Sequence, residues 1–346
     1  MKKIIISLLI VSLFLIGGCM KESTNFRYGI VYSSMSGSDS KIVLIDDLGQ
    51  EVNQVKTDIL GISLTGFMKY PQKINNKVYM CAPASSKGGQ PFLTMYDIDE
   101  SKIEKVAENA DIISTTFYVN ERAIFGAAAA PECTYLWKSD YNTDEKIIKA
   151  QIPGITTFLL GDDESLYAFS MIENKEEARC FSVAITVIDR EYLTIDKEIM
   201  IQDAGFITDV IEVNNKVYIL SGTNGKDLPA NKMFIYEKTS GNLETVELPF
   251  QHLSKLHEYN GAIYIVQYPK HDEIVDNLIG VMDIESKKIE VIKLPTTNRT
   301  SYIVDDQFIS CDGNSIYEYD MTDFSLKKQI PLITPNKLQY TTIFVN

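Results

Sequence analysis

This 346-residue chain holds one tryptophan, Trp137, only three histidines, and none of the common catalytic signatures. It has no G-x-S-x-G, no Walker loop and no G-x-G-x-x-G, which argues against the usual hydrolase, nucleotide and dinucleotide classes. His252, His257 and His271 match no zinc spacing, neither H-E-x-x-H nor a close Cys/His pair, and read as solvated loop residues. The acidic pairs Asp46-Asp47, Asp162-Asp163 and Asp305-Asp306 lack the spacing of a calcium loop and read as turns. Basic residues are also short, 33 against 47 acidic, and a net charge of −14 repels phosphate backbones, so nucleic acid is not an expected partner. No residue is singled out as catalytic, and no metal and no cofactor are expected.

Long apolar runs are missing except at the start, "MKKIIISLLIVSLFLIGGC", where residues 4–16 follow two lysines. Thirteen residues are too few to span a bilayer, which takes about 20, so the run reads as a signal peptide. Its end, Ile16-Gly17-Gly18-Cys19, resembles the bacterial lipoprotein processing signal, with Gly17 in place of the usual Ala or Ser. The resemblance implies cleavage after residue 18, lipid such as palmitate on Cys19, and a protein held at the extracytoplasmic face of the cell membrane. Residues 19–25 then form a short polar tether, and 26–346 the folded domain. Without Lys2 and Lys3 the balance becomes 31 basic to 47 acidic, a net charge of −16.

What the chain does have is a repeat. "NNKVY" stands at residues 75–79 and again at 214–218, with a looser copy, Asn260-Gly261-Ala262-Ile263-Tyr264, later on. Aligning Tyr32, Tyr79, Phe125, Tyr167, Tyr218, Tyr264 and Phe308 gives intervals of 47, 46, 42, 51, 46 and 44 residues, hence seven units. Each reads as short alternating strands separated by Asn, Asp, Gly and Ser turns, with almost no helical period. Asparagine suits the hairpin before "KVY" because it adopts positive φ at little cost. Four further strands, "ISTTFYV", "GITTFLL", "FITDVIEV" and "TSYIV", precede such hairpins. The first unit lacks one, and the C-terminus supplies an orphan, residues 340–346. A ring closed by its own two ends explains both facts and leaves no long unpaired edge.

The pattern resembles the seven-bladed β-propellers of the YVTN and quinoprotein-like group over about 320 residues, without the Gly-His and Trp-Asp dipeptides of WD repeats. It implies an all-β fold of four-stranded blades, with six blades plus a hairpin, or eight with one degenerate, as the competing counts. Among the remaining cysteines, Cys81 and Cys311 follow strands and read as small buried hydrophobes. Cys133 and Cys180 stand at matching points of adjacent units, where a disulfide is conceivable if the blades do not splay too far.

Loops between second and third strands vary most: "SSMSGSDSK", "APASSKGGQP", "GAAAAPECT", "MIENKEEARC", "SGTNGKDLPANK" and "QYPKHDEIVDN". They should share one face with the connections between blades, a rim that mixes Lys87, Lys175, Lys226, Lys270, His271, Asp272 and Glu273. Threonine pairs at 115–116, 156–157 and 341–342 fall on predicted innermost strands, where Thr suits the strand and one member of each pair could line the channel. The expected function is a non-enzymatic module binding a protein or small ligand through that rim. The alternative is an envelope lyase or hydrolase with polar residues converging at the channel mouth.

Overall fold

The computed structural model describes residues 25–346 except 35–38, 64–69, 83–91, 107–115, 131, 142–147, 175–179 and 268–275. Cys19, Lys87, Thr115, Lys175, Lys270, His271, Asp272 and Glu273 therefore lie outside the described residues. Among the described residues twenty-eight strands form seven antiparallel sheets of four, an all-β propeller of seven blades. The innermost strands are β4 (Gln72–Ile74), β8 (Thr116–Val119), β12 (Ile155–Gly161), β16 (Ile207–Val213), β20 (Leu253–Tyr259), β24 (Thr300–Val304) and β28 (Gln339–Val345). Blade 1 is built from β28, β1 (Tyr28–Ser33), β2 (Ser40–Ile45) and β3 (Glu51–Thr57), in that order from the channel. The C-terminal strand thus closes the ring, Tyr28 facing Val345 and Ile30 facing Ile343.

The hairpins explain the repeat. Asn214 and Asn215 have φ of 52° and 63°, Asn260 and Gly261 48° and 75°, and Asp305 and Asp306 50° and 58°. Positive φ at both central positions is the turn whose twist matches its flanking strands, and it selects Asn, Asp and Gly. These hairpins and the turns after the third strands lie on one side, the turn face. The loops after the second strands and the crossings between blades lie on the other, the loop face.

The core is divided. Seven buried clusters fill the seven gaps between neighbouring blades, among them Phe158, Phe169, Ile185 and Phe234 between blades 4 and 5 and Val31, Ile42, Met80 and Phe344 between blades 1 and 2. Two glycines make room for an aromatic ring directly across the ladder, Gly29 for Phe344 and Gly126 for Trp137. On the turn face Arg27 bridges Asp305 (3.1 Å) and Asp47 (3.4 Å), tying blade 7 to blade 1. Lys238 pairs with Asp162 and with Glu212 at 2.7 Å, tying blade 5 to blade 4.

Several expectations need correction. Two of the seven aligned positions are out of step: Tyr218 packs into the gap with the following blade, whereas Tyr32 packs into the gap with the preceding one, and in blade 7 Gln307 faces Asp320 as Lys216 faces Glu237, so Ile309, not Phe308, is equivalent to Tyr218. The first unit has no hairpin of its own to set the register. "GAAAAPECT" is mostly strand, since Ala123–Ala129 pairs onward and Gly126 admits the Trp137 ring. "SGTNGKDLPANK" shrinks to a turn at 224–228, where Asn224 Oδ1 accepts from the backbone of Lys226 and Leu228. All four described cysteines are unbridged thiols, Cys81 and Cys311 buried, Cys133 and Cys180 half-buried, so the conceivable Cys133–Cys180 disulfide is not formed. His257 is no loop residue, for it sits half-buried in β20.

Closure makes two outcomes predictable. Removing residues 339–346 strips buried Ile343, Phe344 and Val345 from two gaps, and at roughly 1.5–3 kcal/mol per buried side chain the midpoint of chemical unfolding should fall far more than after an ordinary end trim. A Cβ at position 29 would lie 2.0 Å from the Phe344 ring, so Gly29→Ala should cost about 1–3 kcal/mol by overpacking, and Phe344→Leu in the same chain should recover part of it. Unfolding midpoints in urea test both.

Candidate functional site at the channel mouth

Four inner strands carry a bulge near their loop-face ends. The ladder skips Thr157 in β12, Thr208 in β16, Ser254 in β20 and Thr341 in β28. The threonine hydroxyls donate to carbonyls of the adjoining second strands: Thr157 to Phe169 and Thr208 to Leu220 at 3.3 Å, and Thr341 to Val31 at 3.1 Å. Of the paired threonines, Thr156 shares a hydrogen bond with Ser170 at 2.8 Å and Thr342 donates to Ile343 O at 3.3 Å. These hydroxyls therefore serve the blades themselves. A bulge bends its strand and re-aims the next side chain, which in β16 and β20 is Asp209 and Lys255.

Those two residues hold matching places on neighbouring blades and form an ion pair of 2.9 Å, with the Asp209 side chain 4% exposed. Asp209 Oδ2 also accepts from the Leu256 amide at 2.8 Å. The Lys255 ammonium lies 4.3 Å from the centre of the Tyr70 ring. Tyr70 comes from the lead into blade 2, on the far side of the ring, so a cation–π contact spans the channel. Its hydroxyl donates to Arg299 O at 3.2 Å, and its ring meets Tyr302 edge-on at 6.4 Å. Tyr302 in turn donates to Ile343 O at 2.7 Å.

Around this span burial shifts four titratable groups, His257, Tyr302, Tyr340 and Cys311. His257 shares a 2.8 Å hydrogen bond between Nε2 and Ser301 Oγ, and burial, aided by the Lys255 charge, lowers its pKa to about 3. Burial raises Tyr302 and Tyr340 well above the phenol range and the Cys311 thiol to about 12. Tyr340 shares a 2.7 Å hydrogen bond with Thr300, and Gly313, at φ 93°, leaves space for Tyr340 and Arg299 to approach. Among the described residues no three His, Cys, Asp or Glu side chains are placed to hold a metal ion. Next to the mouth, between blades 5 and 6, a polar depression of about 460 Å³ is lined by residues including Asn231, Gln251, His252, Gln267 and Asp276.

The structure brings together residues that sequence reasoning had left apart. Tyr70, Asp209, Lys255, Arg299 and Tyr302 were not singled out, and an Asp and a Lys 46 residues apart, one repeat period, were the signal that could have linked two of them. Lys226 stays exposed on its turn.

No family model and no curated protein matches this chain. Its likeness to solved structures is one of fold. A Bacteroides uniformis protein provisionally assigned as a 6-phosphogluconolactonase superposes with a TM-score of 0.59 at 10% identity, over 93% of this chain and 100% of that one. AztD from Citrobacter koseri superposes with a TM-score of 0.53 at 9% identity, over 92% of this chain and 97% of that one. At such identities the shared property is the β-propeller.

Proposed function

We propose that this chain is a lipid-anchored extracytoplasmic propeller that binds a protein or small-molecule partner at the loop-face mouth of its channel and does no chemistry there. The observation that carries the reading is the commitment of the mouth's acid–base groups to one another. Asp209 is taken by Lys255 and a backbone amide, and His257 is kept neutral against Ser301. A general acid or base needs a pKa near the working pH and a free path to substrate; His257 lacks the first, and Asp209, 4% exposed, lacks the second. What they offer is a stiff polar and aromatic floor beneath variable loops, a form suited to recognition. The hydrolase alternative draws on the lactonase neighbour, whose likeness extends to fold alone.

The anchor is tested by Cys19→Ala. The substituted protein should leave the detergent phase and the membrane pellet for the soluble fraction, while equal membrane retention would sink the lipoprotein reading. For the site, residues 26–346 immobilised and exposed to solubilised envelope should retain a partner that Arg299→Ala with Ile333→Asp on the loop face abolishes. Leu48→Asp with Tyr192→Ala on the turn face should leave retention intact, and the opposite result moves the site.

The neutral His257 has a signature of its own. Its folded pKa lies below the unfolded value of about 6.5, so the unfolded state binds a proton that the folded state refuses, and stability falls as pH drops from about 6.5 towards 3. His257→Gln should flatten that part of the stability–pH curve with little change at pH 8; an unchanged slope would show that the histidine is not held neutral.

A further inference from the structure

We infer that the tether leaves the propeller on its turn face, so that this face looks onto the membrane and the channel mouth opens away from it; the inference rests on lipidation of Cys19. The entry of the chain is fixed, not loose. Phe26 is buried and packs edge-on to Phe344 at 6.1 Å. The Arg27 amide donates to Ile45 O at 2.8 Å, and Asn346 donates back, its amide to Arg27 O at 2.9 Å and its Nδ2 to Phe26 O at 3.2 Å. The Arg27 side chain reaches Asp47 and Asp305, both in turns of this same face. Backbone and side chain together hold residues 26 and 27 against the closure strand, and the direction of exit is set there.

Distance then decides the orientation. Residues 19–25 can extend over about 25 Å at most. To bring the loop face to the bilayer, the tether would have to run outward past β2 and β3, about 10 Å at the spacing of neighbouring strands, and then along a blade edge six or seven residues tall, about 20 Å more. The path exceeds the reach. Because β1 is second from the channel, the tether departs near the ring's axis, which favours a disc hanging face-down over one standing on its rim.

Charge keeps the disc from lying flat. The acidic residues of these turns, among them Asp47, Asp99, Glu100, Asp163, Glu191 and Asp323, outnumber their cations, Arg122, Arg190, Lys238, Lys287 and Lys288. An anionic bilayer repels such a surface within about 8 Å at physiological salt. The face hovers, and a partner of the channel mouth approaches from the aqueous side, not from within the same bilayer.

Energy transfer to acceptor-labelled lipid reads this geometry. Leu48 on the turn face and Ile333 on the loop face are 75% and 88% exposed, and each can be replaced by Cys and dye-labelled in a chain with Cys133→Ser and Cys180→Ser. With residues 1–19 replaced by a hexahistidine tag on nickel-chelating vesicles, transfer from position 48 should be several-fold greater than from 333, and should rise with salt on anionic vesicles. Equal transfer, or more from 333, overturns the orientation. Flotation of the native chain with vesicles reports on the lipid separately: a native chain that does not float breaks the anchor reading whatever the tagged chain shows.

Discussion

Each inner strand has one edge that no strand can pair, because the channel lies beside it. Buried amides and carbonyls left there would cost roughly 1–3 kcal/mol each. At three of the inner strands a side chain of the preceding blade supplies a partner. The Gln72 amide of blade 2 donates to Val119 O at 2.8 Å and accepts from Val119 N at 3.1 Å in blade 3. Asp209 of blade 5 accepts from Leu256 of blade 6, and Tyr302 of blade 7 donates to Ile343 of blade 1. The stitching runs in one sense around the ring, and it works only if the ring is closed, because the last stitch lands on the C-terminal strand.

That dependence separates what the sequence discloses from what it hides. The hairpins were legible because positive φ at Asn214, Asn215 and Asn260 restricts the residue choice, and the orphan strand was legible because its absence from the first unit and its presence at the end are both counts along the chain. β4 escaped because its three residues, Gln72, Lys73 and Ile74, show no apolar alternation; what Gln72 contributes is its amide. The bulges escaped for a related reason: Thr157, Thr208 and Thr341 are ordinary strand residues by type, and only the pairing on either side reveals that the ladder skips them.

The mouth was hidden by topology. Tyr70 leads into blade 2 and Lys255 belongs to blade 6, and nothing local to either residue points to the other; they meet because seven blades bring distant segments to one axis. His257 was misread because histidine with no zinc spacing looks like a loop residue, whereas on β20 it faces Ser301 across the gap to blade 7. Charge did not help, since the acidic excess is gathered at turns, the places that Asp and Glu would fill in any hairpin-rich fold.

The ion pair between Asp209 and Lys255 is where the molecule departs from its own repeat. The residue that follows the bulge is Phe158 in β12 and Thr342 in β28, so the fold accepts uncharged side chains at this position. Burying a carboxylate and an ammonium together is often no better than burying apolar groups of the same size, so stability alone does not account for their presence. What an apolar pair would not do is hold Tyr70 over the channel, since the ring's attraction to the ammonium, of order 1–2 kcal/mol when desolvated, needs the charge. The pair therefore gives a sevenfold scaffold one distinct mouth, and a specific partner requires such an asymmetry because seven equivalent blades would present it with seven equivalent choices.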